Sequence, residues 1–233
     1  MGYLTDLTDL TSIANLKAQT EVASANSKGF VSSDVVNPNM AENYQHDGYT
    51  FCLRDISEGY DDKLNKYNLT SLEAYSIMQP INVGGSGLSL MPLYKVRGNQ
   101  GAISQKEIKT KAVQESQIIT KLLHCLGLPL GVTIWLDIES INALESTSTK
   151  VFTAEESNIY LLELSAAVIS SGFSVGYYYG NTHDCACPSG LAPMGTNVLQ
   201  AVACANGMGE NHLHTITIGD NADSCKIRWA YYS

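Results

Sequence analysis

The stretch GVTIWLDIES, residues 131–140, decides the fold class and raises the question of function. Its first half is largely apolar, which is typical of a strand that is buried on both faces. Asp137 and Glu139 follow two positions apart. Side chains two residues apart on a strand project from the same face, with about 6.6 Å between their Cα atoms. The two carboxylates are therefore expected to project together, and packing alone gives no reason for acids at this place.

Strand-like and helix-like segments alternate on both sides of this stretch. Strands are predicted over 48–55, 88–96, 131–139, 173–181 and 226–233. Helices are predicted over 69–78, 104–127 and 153–172. Each has a Thr or Ser at its first or second residue and a Glu three residues after that Thr or Ser, the pattern of a capping box. The segment 182–226 does not follow this alternation and is predicted to be a long loop with at most short strands. This alternation predicts a parallel sheet covered by helices.

Residues 1–28 are predicted to form an N-terminal extension to one domain at 29–233. In the extension, apolar residues recur every three positions, which suits a short amphipathic helix that docks on its own domain or on a protein partner. These residues are Leu4, Leu7, Leu10, Ile13 and Leu16.

Composition narrows the classes of function. A chain of 233 residues with 44% hydrophobic and 16% charged residues predicts one sizeable globular domain. Fourteen basic residues stand against 23 acidic ones, and no Lys/Arg cluster could neutralise a row of phosphates, so nucleic acid is not an expected partner. No apolar run reaches the length of a membrane span, and residues 1–29 lack the features of a classical signal peptide.

The six cysteines fall into two groups. Cys52 and Cys125 lie inside apolar segments and are predicted to be buried thiols. The other four could pair as disulfides, stay free or join His183, Asp184 and either His212 or His214 in a metal site, although a C-x-C spacing is less usual for zinc. They are Cys185, Cys187, Cys204 and Cys225. No metal and no cofactor is predicted.

The carboxylate pair suggests a reaction class. In parallel α/β folds the carboxyl ends of the strands carry the active site. Two neighbouring carboxyl groups repel each other as anions, so one can stay protonated while the other stays charged. Cleavage of a glycosidic bond needs this division, an acid for the leaving oxygen and an anion for the positively charged transition state. The alternatives are exposed acids in a loop or half of a metal site.

Several segments together resemble a known family. They are GFVSSD (29–34), GYTFCLRDIS (48–57), LMPLYKV (90–96), the stretch 100–139 that ends in WLDIE, SGFSVGYYYGN (171–181) and IRWAYYS (227–233). In order and spacing they resemble the strands of the glycoside hydrolase family 25 lysozyme superfamily. They are more similar still to the related glycoside-hydrolase-like domain of unknown function found in bacterial surface and lytic proteins.

The resemblance implies a TIM-like (β/α)8 barrel, irregular or incomplete, that acts on peptidoglycan or a related N-acetylated glycan. It implies that Glu139 is the general acid and that Asp137 stabilises positive charge or orients the acetamido group. It also implies that aromatic and polar side chains line a sugar groove. These are Arg54, Tyr94, Tyr178, Tyr179 and Trp229. Strand alternation allows only one of Tyr178 and Tyr179 to face the groove.

One departure from the family pattern affects the expected activity. The first strand of the family carries an acid at the position of Val31, and the nearest acid here is Asp34. Asp34 replaces it only if the strand bulges or has already ended. The first expectation is therefore a secreted or cell-wall-delivered glycosidase with Asp34, Asp137 and Glu139 as its acids. The alternative is a barrel that binds glycan, or serves a larger lytic or injection assembly, without catalysis.

Overall fold

The computed structural model describes residues 18–56, 68–79, 87–97, 104–137, 154–178, 214–218 and 227–232. Within them lie eight strands and four helices. The strands are β1 (Gln19–Val22), β2 (Lys28–Ser32), β3 (Phe51–Asp55), β4 (Ser89–Lys95), β5 (Thr133–Asp137), β6 (Ser174–Tyr178), β7 (His214–Thr217) and β8 (Arg228–Tyr231). The helices are α1 (Pro38–His46), α2 (Ser71–Met78), α3 (Gln105–Cys125) and α4 (Ala154–Ser170).

One mixed sheet contains all eight of these strands. Strands β2 to β6 are parallel and pair in chain order. β7 adds to β2, and β8 adds to the amino-terminal half of β4, both in antiparallel orientation. β1 pairs with β8. The predicted α/β class is therefore confirmed. The described strands do not follow a βα repeat throughout, because β7 and β8 run antiparallel to β2–β6 and β1 pairs with β8.

The two faces of the sheet are buried in different ways. On the helix face, strand side chains such as Phe30, Leu90 and Ile134 pack with residues of all four helices. The other face, here called the inner face, buries a second cluster made only of residues on strands and their adjoining turns. That cluster joins Val31 of β2, Tyr178 of β6 and Ile216 of β7, so the sheet curves around it. Within the described ranges β6 and β7 do not pair, and the barrel is not closed there.

Local signals set several helix ends, and of the predicted capping boxes the one at the start of α3 is complete. Ser104 and Glu107 form a complete capping box at the start of α3, and the Thr70 side chain accepts the main-chain N–H of Glu73 at the start of α2. Gly127 follows α3 and Gly172 follows α4, with φ of 69° and 93°, values that favour glycine. None of the helices among the described residues is both long and apolar enough to cross a membrane.

The predictions for the N-terminal extension and for the cysteines have different outcomes. Part of the predicted N-terminal extension forms β1 and belongs to the sheet, while the predicted helix over Leu4–Leu16 lies outside the described residues. Cys52 is buried as predicted, and burial raises the pKa of its thiol to about 12. The expectation of a buried Cys125 is wrong, because this residue is exposed at the end of α3. The other four cysteines lie outside the described residues.

Candidate functional site

Four strands end on the inner face with a polar side chain. Asp55 ends β3, Lys95 ends β4, Asp137 ends β5 and Tyr178 ends β6. Strand register places Lys95, Asp137 and Tyr178 side by side, and Asp55 pairs with Leu93, two residues before Lys95. We call these four residues the polar rim. The rim lies at the carboxyl end of the parallel strands, where α/β folds place their active sites.

The two carboxylates of the polar rim are largely withdrawn from water. Asp137 is 6% exposed and Asp55 is 8% exposed, whereas the Lys95 side chain is 58% exposed. The Lys95 Nζ lies 3.7 Å from Asp55 Oδ2. The two carboxylates lie where solvent access is reduced, and a carboxylate in such a place can stabilise positive charge that develops on a bound molecule.

An apolar layer supports the polar rim from below. Trp135 precedes Asp137 by two residues on the inner face, and its indole N–H donates to the sulfur of Met91 at 3.1 Å. Gly176 of β6 makes room for this ring, because a Cβ there would lie 2.8 Å from the Trp135 Cε3. Close packing therefore holds the backbone that precedes Asp137, and this fixes the position from which the carboxylate projects.

Arg54 lies on the opposite face of β3 from the polar rim. It is fully buried, and its Nε and Nη2 donate to the two carboxylate oxygens of Glu73 in α2, at 2.6 and 3.2 Å. Its Nη1 donates to the Ser32 carbonyl at 2.6 Å, and Glu73 also accepts the Val36 N–H at 2.8 Å. This network ties α2 to the end of β2. The structure therefore places Arg54 in the support of the fold and not on the inner face.

Tyr94 also lies on the helix face, where it is fully buried near Glu115 of α3. Glu115 accepts the Arg97 N–H at 2.8 Å and the Tyr160 hydroxyl, and the Tyr94 hydroxyl also favours its charged form. Burial outweighs these contacts and raises the pKa of Glu115. The carboxyl group holds the backbone two residues beyond Lys95, so this cluster supports the polar rim from behind.

Trp229 lies at the other end of the inner face. Its ring is 5.8 Å from that of Phe51, the first residue of β3, and its indole N–H donates to Glu21 at 2.7 Å. The neighbouring Arg228 N–H donates to the side chain of Thr133, the first residue of β5, at 2.9 Å. Four residues of strand, about 13 Å, separate Phe51 from Asp55. The structure does not bring Trp229 to the polar rim.

The remaining predicted residues lie in the polar rim, in an exposed turn or outside the described residues. Tyr178 belongs to the rim, while Tyr177 faces the helices and shares a hydrogen bond with Ser165 at 2.8 Å. Asp34 lies in the exposed turn after β2, where its main-chain oxygen accepts a hydrogen bond from Ser32, and it is not part of the rim. Glu139 and Tyr179 lie outside the described residues.

Two rim residues, Asp55 and Lys95, were not among the residues predicted from the sequence. The signal that finds them is strand alternation. Asp55 follows the inner residues Phe51 and Leu53 at the same two-residue spacing by which Asp137 follows Trp135. In the described part of the chain no group of three or more His, Cys, Asp or Glu side chains could hold a metal ion.

Comparison with known proteins shows the fold but does not show a family. No family model and no curated protein matches the sequence. A solved structure of an uncharacterised B. stearothermophilus protein matches with a TM-score of 0.51 and 13% identity, covering 85% of this chain and 99% of that one. That match shows a shared fold.

Two further structures are similar over parts of the chain. The modular autolysin LytC from Streptococcus pneumoniae, in complex with a synthetic peptidoglycan ligand, matches with a TM-score of 0.44 and 11% identity. The match covers 66% of this chain and 32% of the autolysin. A sugar phosphate isomerase/epimerase from Parabacteroides distasonis matches with a TM-score of 0.45 and 14% identity, covering 78% of this chain and 66% of that one.

Proposed function

We propose that the chain is a glycosidase of bacterial cell-wall glycan with an incomplete TIM-like barrel. The observation that carries the proposal is the position of Asp137. This carboxylate ends a central strand on the inner face, is 6% exposed and lies in register between Lys95 and Tyr178. An acid in such a place is costly for folding and useful for chemistry, because a site of low dielectric strengthens its effect on developing charge.

The proposed chemistry divides the work between two carboxyl groups. Glu139 protonates the glycosidic oxygen as the bond to the anomeric carbon breaks. Asp137 stabilises the positive charge that develops on the sugar ring, or orients the acetamido group of an N-acetylated sugar. Tyr178 and Tyr179 remain candidates for the wall of the groove. Arg54 and Tyr94 are left out because they face the helices, and Trp229 is left out because it lies at the amino end of the inner face.

Release of reducing ends from purified peptidoglycan tests the proposal. We expect wild type to cut, and E139Q to lose at least about 100-fold in rate because a positioned general acid contributes about that much or more. E155Q is the matched control, since Glu155 is exposed in the first turn of α4. Equal rates for wild type, E139Q and E155Q would contradict the assignment of the acid.

A second candidate function rests on Val31. This residue occupies the first-strand position where the resemblance expects an acid, and it is packed in the inner cluster at 7% exposure. A barrel that lacks an acid there could bind glycan without cutting it, as a module of a larger lytic or injection assembly that it contacts through the N-terminal helix of the extension at residues 1–28. Co-sedimentation with peptidoglycan without release of reducing ends would favour this function.

A further inference from the structure

We propose that residues 4–16 dock on an apolar surface at the amino end of the sheet of their own domain. The inference concerns an interaction surface, and it does not depend on the proposed glycosidase activity. The surface lies where α3 and α4 end and the chain leads into β5 and β6. It is therefore at the end of the strands away from the polar rim.

Leu130 is the most exposed part of this surface. It has the largest exposed fraction, 59%, among the large apolar side chains of the described residues. Its Cδ2 lies 3.2 Å from the position that a Cβ on Gly172 would take, and the Gly131 N–H donates to the Gly172 carbonyl at 2.7 Å. The turns after α3 and α4 therefore lie side by side. Leu126 and Ile169, near the ends of the two helices, are partly buried against the helix-face core. We call Leu126, Leu130 and Ile169 the apolar end surface.

The chain enters the described domain beside this surface. A single exposed leucine is ordinary on a protein, so its surroundings decide what it means. Ala18, the first described residue, packs against the same helix-face core as the ends of α3 and α4. The Thr20 hydroxyl donates to the Leu130 carbonyl at 3.5 Å. Leu16 precedes Ala18 by two residues, at most about 7 Å of chain. The segment that ends at Leu16 is therefore attached within reach of Leu130.

The sequence of the segment suits an apolar surface. Apolar residues recur every three positions from Leu4 to Leu16, and Thr, Ser, Asp and Asn fill most of the positions between them. Such a pattern leaves several large apolar side chains in water unless one face of the segment is covered. The apolar end surface offers the complementary chemistry, and partly buried leucine and isoleucine side chains border it.

The charges of the two partners are opposite in sign. Asp6 and Asp9 are the charged residues of the segment before Lys17. Lys121 and His124 are exposed near the end of α3, within a few residues of the apolar end surface. Ion pairs at a surface contribute little to affinity, so these charges orient the segment while the apolar contact holds it.

The covalent connection favours this occupant over a separate molecule. A short tether gives the attached segment an effective concentration in the millimolar range. A contact with a millimolar dissociation constant is then occupied in a large share of the molecules. A separate partner, or a second copy of the chain, would have to be present at that concentration to compete.

Hydrogen exchange measured by mass spectrometry on the full chain tests the proposal. We expect residues 4–16 of wild type to be protected, and L130D to exchange there at least about tenfold faster, because burial of one leucine corresponds to that factor or more. L130D leaves residues 1–17 unchanged, so their intrinsic exchange rates stay the same. L72D is the matched control, because Leu72 is 56% exposed in the first turn of α2.

A second substitution at the same position tests the charge argument. L130K should lose less protection than L130D, because its aliphatic stem covers apolar surface and its ammonium group attracts Asp6 and Asp9. Unchanged exchange in peptides from β4 and β5 shows that each variant is folded, and L130K serves the test if L130D is not.

Three outcomes would overturn the proposal. Fast exchange of residues 4–16 in wild type would mean that the segment does not dock on its own domain, and would favour contact with a larger assembly. Equal protection in wild type, L130D and L130K would place the segment on a different surface. Protection that disappears on dilution, while wild type changes from dimer to monomer on size exclusion, would assign the surface to a second copy.

Discussion

The two ends of the inner face differ in chemistry although the same strands form both. At the amino end the Phe51 ring lies against Gly29, where an added Cβ would collide with it, and the tilted Trp229 ring lies 5.8 Å from the Phe51 ring. At the carboxyl end β3, β4 and β5 finish with Asp55, Lys95 and Asp137. One end therefore gains stability from buried apolar surface, while the other holds carboxylates that packing does not require. The difference predicts that substitutions at the amino end change stability and that substitutions at the carboxyl end change activity.

The largest expected effect on stability is at Phe51. F51A should lower the free energy of unfolding by about 3–5 kcal/mol, because it removes a fully buried ring beside Trp229. Urea denaturation measures the loss, and F51L, which keeps more of the volume, should lose less. Turnover per folded molecule should stay at the wild-type value. A fall in that turnover would show that the two ends are not separate in function.

A smaller loss is expected at Gly176, which lies between the two ends. G176A places a Cβ 2.8 Å from the Trp135 ring, so the indole or the strand must move, at a cost of about 1–3 kcal/mol. Thermal unfolding measures the change. G127A is a useful comparison, because a Cβ there meets nothing within 4 Å and any cost comes from the φ of 69°. An unchanged melting temperature for G176A would mean that the layer below Asp137 is loosely packed.

Substitution of Lys95 tests the prediction that side chains at the carboxyl end contribute little to stability. K95M should change the free energy of unfolding by less than about 1 kcal/mol. The Lys95 side chain is 58% exposed, and an ion pair such as Lys95–Asp55 with one exposed member contributes little to stability. Urea denaturation of K95M and wild type in the same buffer measures it. A loss as large as that of F51A would indicate that the polar rim serves packing, and the contrast between the two ends would fail.

A further prediction is a dependence of the free energy of unfolding on pH, which arises behind the polar rim. Burial raises the pKa of Glu115 above its ordinary value, so the folded state favours the protonated form. The stability that this adds is complete below the ordinary pKa and is lost as pH rises through the raised one, at about 1.4 kcal/mol per pKa unit. Urea denaturation between about pH 4 and pH 8 should show the loss in wild type and E155Q, and not in E115Q. Parallel curves for all three proteins would contradict the assignment.

Local sequence signals were enough for much of the fold. The capping box of Ser104 and Glu107, and Gly127 and Gly172, set helix ends within a few residues. The sequence singles out Asp137 because an acid at the end of an apolar strand is a local feature, and its role stays a prediction. β1 was missed because Gln19–Val22 pairs with β8, more than 200 residues away, and nothing within four polar-rich residues indicates that partner.

A related physical cause explains why some predicted site residues lie away from the polar rim. Alternation along a strand shows which residues share a face, but it does not show which face is covered by helices. Arg54 and Asp55 are neighbours with opposite roles, and the choice depends on Glu73 in α2, whose carboxylate binds the Arg54 guanidinium. Trp229 was assigned to the groove because its segment resembles a later barrel strand. The antiparallel direction of β8, which places Trp229 at the amino end, is set by pairing with distant residues.

The most direct test of the central claim is the turnover of purified bacterial peptidoglycan by wild type and D137N, measured as released reducing ends. We predict that wild type cuts and that D137N, with an unchanged melting temperature, loses at least about 100-fold in rate. That result would place the chemistry at the carboxyl end of the inner face. Equal rates in both proteins would contradict the account, and no release by either protein, with both sedimenting with the glycan, would leave a barrel that binds without cutting.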